Sequence, residues 1–133
     1  MKTHYDIDKK RLEELIRKAA SIGSRDGKEI CGLLLASGSR VHPLQLRNKS
    51  KRGGSFCFCS SEVGAVRQAA KKLQMEIVGT FHSHPCAAAK PGQSDIEGTP
   101  DGALMLVIDC GEKYAKLWRI SKGRAISQRY FQR

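Results

Sequence analysis

His82 and His84 are separated by one residue and close an apolar run, Glu76-Ile-Val-Gly-Thr-Phe81, that reads as a strand. On a strand, residues i and i+2 point to the same face, so one metal ion can take both imidazoles without distorting the backbone. Ser83 points away. Pro85 then turns the chain, and Asp95, eleven residues past His84, can fold back as a third ligand. Two nitrogens and one oxygen leave a fourth tetrahedral position for water, the arrangement of a catalytic rather than a closed structural zinc. Hydrolysis then needs a base. Glu29 stands at the start of a buried apolar run, where partial desolvation raises a carboxylate's pKa toward the working range.

Each of these residues also has an ordinary use. An isolated His-x-His pair is weak ground for a metal, a Glu before an apolar strand is usually a solvated edge residue, and Asp95 could cap a helix beginning at Ile96. Their joint occurrence in one fixed order is what these ordinary uses leave unexplained.

The elements that must hold these residues follow from periodicity. Residues 8–22 place Leu12, Leu15, Ile16, Ala19 and Ala20 on one helical face, with Asp8 as N-cap, and residues 23–27 read as a turn. The run 29–36 is too short and too apolar for a surface helix and reads as a buried strand. A hairpin turn at Ser37-Gly38-Ser39 returns the chain as a strand over 41–46, followed by a polar loop over 48–54 and a third short strand over 56–59. Ser60 or Ser61 caps a second helix through Leu73, with Val63, Val66, Ala69, Ala70 and Leu73 facing the sheet. The strand 76–81 runs into the histidines, and Pro85 stops its ladder. Residues 87–102 form a loop with room for one short helix. Strands over 103–109, 114–120 and 125–131 make a meander turning at Gly111 and Gly123. The chain is expected to form one α/β domain over residues 1–133, with a mixed, mainly antiparallel sheet flanked by helices.

Glu29-Ile-Cys-Gly-Leu-Leu-Leu, then Gly79-Thr-Phe-His-Ser-His-Pro, then Asp95 resemble the signature of the JAB1/MPN/Mov34 (JAMM) metallopeptidases, in their prokaryotic single-domain form. The resemblance runs over roughly residues 10–120. It implies the JAB1/MPN (cytidine-deaminase-like) fold, one zinc per chain on His82, His84 and Asp95, and Glu29 as general acid and base. It also implies cleavage of a peptide or isopeptide bond, after the Gly-Gly tail of a ubiquitin-like or sulfur-carrier-like protein. Such a tail suits a narrow cleft, because an extended segment without bulky side chains can add to a sheet edge through main-chain hydrogen bonds. One position departs from the family pattern: the serine three residues before the aspartate is here Gly92. Ser94 is the nearest hydroxyl and the candidate to stabilise the oxyanion, a contribution that for comparable donors is worth ~3 kcal/mol.

Composition bounds the rivals. The formal charge of +11 favours acidic partners, yet the basic residues are dispersed and aromatic content is 6%, too low for base-stacking platforms, so a nucleic-acid binder is disfavoured. A non-catalytic MPN-type scaffold is the other alternative, but it has no physical need for an open zinc position. No apolar run approaches the ~20 residues that span a bilayer and no signal peptide is evident, so no membrane partner and a cytoplasmic location are expected. Five cysteines without a Cys-x-x-Cys pair argue against both a disulfide framework and a cysteine-ligated zinc. They read mostly as small core residues, with Cys57 and Cys59 buried on one face of their short strand. Cys86 after Pro85 lacks the partner cysteine and the His-x-Glu of zinc deaminases.

Overall fold

The computed structural model describes residues 2–50 and 56–133. Its elements are β1 (Tyr5–Ile7), α1 (Lys9–Asp26), β2 (Cys31–Ser37), β3 (Arg40–Leu46), α2 (Ser60–Lys72), β4 (Glu76–His84), α3 (Gln93–Glu97), β5 (Leu104–Asp109), β6 (Tyr114–Ser121), β7 (Arg124–Ser127) and β8 (Tyr130–Gln132). The eight strands form one sheet in the order β7-β6-β5-β4-β2-β3-β1-β8. Among the described residues, β4–β5, β1–β3 and β1–β8 pair in parallel and the other four pairings are antiparallel. The mixed sheet expected from the sequence is present. Its two edge strands are neighbours in sequence, so the sheet curls: Gln128 N–H donates to Leu117 O at 2.9 Å on one edge, while Arg129 O accepts from Tyr5 N–H at 3.2 Å on the other.

Alternation along the strands sorts the core. Leu34, Ala36, Phe81, Leu104, Leu106 and Ile108 point to one face and pack against Leu12, Leu15 and Ala19 of α1. Leu33, Leu35 and Leu46 point to the other and pack against Val63, Val66 and Ala70 of α2. β5 is buried along its whole length, as a strand covered on both faces must be. Strands approach closely at two glycines of the motif segments. A Cβ on Gly79 would collide with the Leu104 carbonyl, and one on Gly32 with the Leu44 carbonyl and the Phe81 ring.

Several boundaries differ from the sequence expectation. α1 runs on to Asp26, with Gly23 on its buried face, and ends at Gly27, whose φ of +64° is the left-handed conformation that closes a helix. β2 starts at Cys31 rather than at Glu29, because the Glu29 carbonyl and the Ile30 N–H bond to side chains instead of the ladder. The expected strand over 56–59 is not formed: these residues are irregular backbone leading into the N-cap of α2, which is Cys59 rather than a serine. Cys57 and Cys86 are exposed and Cys59 half-buried, so only Cys31 and Cys110 are core cysteines. Leu73 lies just beyond α2 at 68% exposure and does not face the sheet. The expected strand over 125–131 is split, because residues 128–129 carry the chain from one edge of the curled sheet to the other. β1 was not evident in the sequence; it is three residues long and owes its place to pairing with β3 and β8. Of the loop expected over 48–54, residues 51–54 lie outside the described residues. No helix among the described residues is long and apolar enough to cross a membrane.

Candidate metal centre

His82 and His84 close β4, on the face that α2 shares with α3. His82 pairs with Cys31 of β2 and Val107 of β5, so its backbone is fixed from both sides, and its ring is fully buried. Phe56 stacks on that ring with centroids 4.9 Å apart and planes 24° apart. His84 is held differently. Its Nδ1 lies 2.8 Å from the Ala88 carbonyl, which can only accept, so Nδ1 carries the hydrogen and the neutral ring turns the lone pair of Nε2 inward.

Asp95 is brought in by the loop after Pro85. Ala89 is buried against Met105, Val107 and Trp118, and its carbonyl accepts from the Trp118 indole at 2.9 Å. Of the three consecutive alanines, Ala89 alone is buried, and it anchors the loop there. The chain then turns into α3, where Asp95 Oδ2 accepts from Gly92 N–H at 2.8 Å and the Asp95 carbonyl accepts from the Thr99 hydroxyl at 2.6 Å. The sequence offered helix capping and metal ligation as rival uses of Asp95. Its carboxylate meets the end of α3 and the histidines at once.

Three atoms converge. His82 Nε2 lies 3.0 Å from His84 Nε2 and 3.3 Å from Asp95 Oδ2, and His84 Nε2 lies 3.8 Å from the same oxygen. A tetrahedral ion with bonds of ~2.0–2.1 Å has ligand–ligand edges of about 3.3 Å, so the triangle has the size that a zinc ion requires. Among the described residues these three form the one group of histidine, cysteine and acidic side chains whose ligand atoms lie close enough together to hold a metal. Burial opposes ionisation of Asp95, but its hydrogen bonds to the two imidazoles and to Gly92 N–H outweigh this and hold it well below the usual carboxylate range. The bond to Asp95 raises His84, with burial opposing it, so proton and metal compete for the same lone pair.

Glu29 sits beside this triangle at 5% exposure, and its Oε1 is buried with no hydrogen-bond partner among the described residues. Burial raises its pKa, the two histidines lower it, and Asp95 adds a further rise. A cavity of about 460 Å³ is lined by Glu29, His84, Cys86, Gly92, Ser94 and Asp95. Four of the five residues singled out in the sequence therefore form one cluster. Ser94 is exposed in the first turn of α3 and lines the same cavity. Gly92 has a different place: its N–H is on Asp95 Oδ2, and a Cβ there would come within 3.5 Å of that oxygen.

The chain matches the family of prokaryotic homologs of the JAB domain over residues 10–121. It belongs to that family. A curated relative, a desampylase from Pyrococcus furiosus, is 26% identical over 117 residues, covering 87% of this chain and 84% of the relative. A solved structure from Desulfitobacterium hafniense superposes with a TM-score of 0.78 at 24% identity, covering 97% of this chain and 92% of its own. Another, described as JAMM, a metalloprotease-like zinc site in the proteasome and signalosome, superposes at 0.53 with 17% identity, covering 98% and 100%. The fold is thus that of JAB1/MPN domains.

Sequence reasoning missed the supports of this JAB-family site. Phe56 over His82, the Ala88 carbonyl behind His84 and the Gly92 N–H on Asp95 depend on where loops return, and local spacing does not encode that. Ser83 and Asn48 were also passed over. A polar residue inside a buried strand must find a partner, and that rule alone could have marked Ser83.

Proposed function

We propose that this chain is a single-domain zinc hydrolase that cleaves a peptide or isopeptide bond after the Gly-Gly tail of a ubiquitin-like or sulfur-carrier-like protein. The observation that carries the reading is the convergence of His82 Nε2, His84 Nε2 and Asp95 Oδ2 beside the buried Glu29 carboxyl, whose Oε1 has no hydrogen-bond partner among the described residues. The donor set, two neutral imidazoles and a carboxylate, suits zinc better than a hard cation, with one ion per chain. When bound, zinc supplies Lewis-acid polarisation of a carbonyl and acidifies water. The desampylase relative supports a ubiquitin-like substrate. A cytoplasmic setting, suited to conjugates of that kind, is part of the same reading.

The chain's own groups divide the remaining work. Glu29, with its pKa raised by burial, takes the proton of the attacking water and returns it to the departing amine. Ser94, at the mouth of the cavity, donates its hydroxyl to the oxygen that gains charge. The Ala88 carbonyl holds the His84 imidazole with its Nε2 lone pair inward, and the Asp95 carboxylate completes the ligand set beside the two Nε2 atoms.

Glu29→Gln keeps side-chain volume and cannot accept a proton. Turnover of a Gly-Gly-tailed fusion of a ubiquitin-like protein is expected to fall by ~10²- to 10⁴-fold, with zinc content by elemental analysis unchanged. Equal rates for the wild type and Glu29→Gln would remove Glu29 from the reaction. A wild type that leaves every tailed fusion intact would favour the non-catalytic scaffold.

A further inference from the structure

We propose that Ser83 and Asn48 are positioning residues that grip the peptide group between Glu29 and Ile30 from its two sides and so fix the Glu29 carboxyl against the metal ligands. The inference rests on the reading of Glu29 as the base. It starts from the end of a ladder: β2 begins at Cys31, so the peptide bearing the Glu29 carbonyl and the Ile30 N–H lies just beyond regular strand bonding. Both polar groups of that one peptide are taken by side chains. Asn48 Nδ2 donates to the Glu29 carbonyl at 2.9 Å, and Ile30 N–H donates to Ser83 Oγ at 2.9 Å. Ser83 N–H donates in turn to the Ile30 carbonyl at 3.0 Å.

The geometry ties the base to the metal residues directly. Cys31 stands opposite His82, and the bond from Ser83 N–H to the Ile30 carbonyl carries the two chains one residue further together, up to Glu29. Ser83 lies between the two histidines, fully buried, with its side chain on the opposite face of the sheet, and so cannot touch a metal held by them. Alanine would fill that space about as well. The hydroxyl matters for the Ile30 N–H, which sheet pairing does not satisfy, and through it for where Glu29 begins. Asn48 adds a second tie. Its Oδ1 accepts from Ser50 N–H at 2.9 Å and from Cys57 N–H at 3.2 Å, next to the Phe56 ring stacked on His82. One amide thus joins the backbone of the base to the segment that covers a histidine.

Ser83→Ala removes the acceptor. Asn48→Asp keeps the acceptor for Ser50 and Cys57 but removes the donation to Glu29. Each variant is made in the wild type and in Glu29→Gln, loaded with zinc, and assayed on a Gly-Gly-tailed fusion of a ubiquitin-like protein. In the wild-type background each is expected to lower kcat by ~10- to 100-fold, the scale of a displacement near 1 Å, with KM and zinc stoichiometry unchanged. Ser83→Thr, which keeps the hydroxyl, should restore most of the rate. In the Glu29→Gln background neither variant should lower the residual rate further. A readout apart from activity is amide hydrogen exchange at Ile30, which should speed up in Ser83→Ala and return toward the wild-type rate in Ser83→Thr. Unchanged kcat in both variants, or an equal fold-loss in the two backgrounds, would overturn the inference and leave the base in place. Equal cleavage by wild type and Glu29→Gln would be a different failure, that of the proposed function itself. If Ser83→Ala does not fold, Asn48→Asp decides the matter, because its side chain is only half-buried and lies beyond the end of β3.

Discussion

The two faces of the central sheet are covered unequally. On one, the eighteen-residue α1 seals a continuous apolar layer that runs from Ile7 through Leu34 and Phe81 to Leu117. On the other, α2 has thirteen residues and α3 only five, and the apolar residues fall into two separate clusters, one under α2 and one around Met105, Val107 and Trp118. His82, His84 and Asp95 occupy the gap between them. The sealed face is built from apolar packing, with fully buried Ser83 as the polar exception. The open face gives up part of its packing so that polar atoms can meet a ligand, in keeping with functional sites breaking the local rules that the rest of a fold obeys.

Adjacent residues on β4 test that contrast most strongly, because Phe81 and His82 point to opposite faces and are both fully buried. His82→Ala/His84→Ala should abolish zinc binding and turnover while leaving the far-UV circular dichroism spectrum intact. Stoichiometric zinc in the purified double variant would end the metal assignment. Phe81→Ala should do the reverse: a loss of ~3–5 kcal/mol in urea unfolding, with one zinc per folded chain retained. A Phe81→Ala protein of normal stability would mean that the sealed face is not the source of the fold's stability.

The oxyanion side of the open face should give a smaller effect. Ser94→Ala is expected to lower turnover by ~10²-fold with zinc content unchanged, the scale of removing one oxyanion donor. Gly92→Ser sharpens the point. Its new side chain would start 3.5 Å from Asp95 Oδ2, where the family pattern has its serine, and it should recover turnover in the Ser94→Ala background. Unchanged turnover in Ser94→Ala would show that the exposed hydroxyl has no part in the reaction.

How much of this was legible depended on range. The pairing of His82 with His84 follows from strand alternation, and Leu12, Leu15 and Ala19 mark the buried face of α1 by helical spacing. Asp95 and Glu29 could be set beside the histidines only through the family resemblance, since no local rule says that the loop after Pro85 returns or that β2 lies next to β4. Context also overrode local preference in both directions. Gly23 stays inside α1 on its buried face, where an added Cβ would come within 3.4 Å of Pro85 and the Cys110 sulfur, although glycine is a poor helix former. Residues 56–59 alternate as a strand should, but β2 is already flanked by β3 and β4, so no central edge is left for them.

The smallest effect expected separates the sheet side of α2 from its end. Helical spacing groups Leu73 with Val66 and Ala70 and would bury it against the sheet; had that been so, Leu73→Ala would cost about 2–5 kcal/mol. Instead α2 stops at Lys72, and the next residues turn into β4 through Gln74, whose φ of +57° swings the chain away from the helical path. Leu73 is left 68% exposed at the rim of an apolar groove that also includes Leu44 and Met75. Leu73→Ser is therefore expected to change the unfolding free energy by no more than about 0.5 kcal/mol. Val66→Ala, two turns further in and packed on the Leu33–Leu35 cluster, should cost clearly more. Urea unfolding of the two variants side by side measures the difference, and a loss at Leu73 as large as that at Val66 would place the end of α2 against the sheet after all.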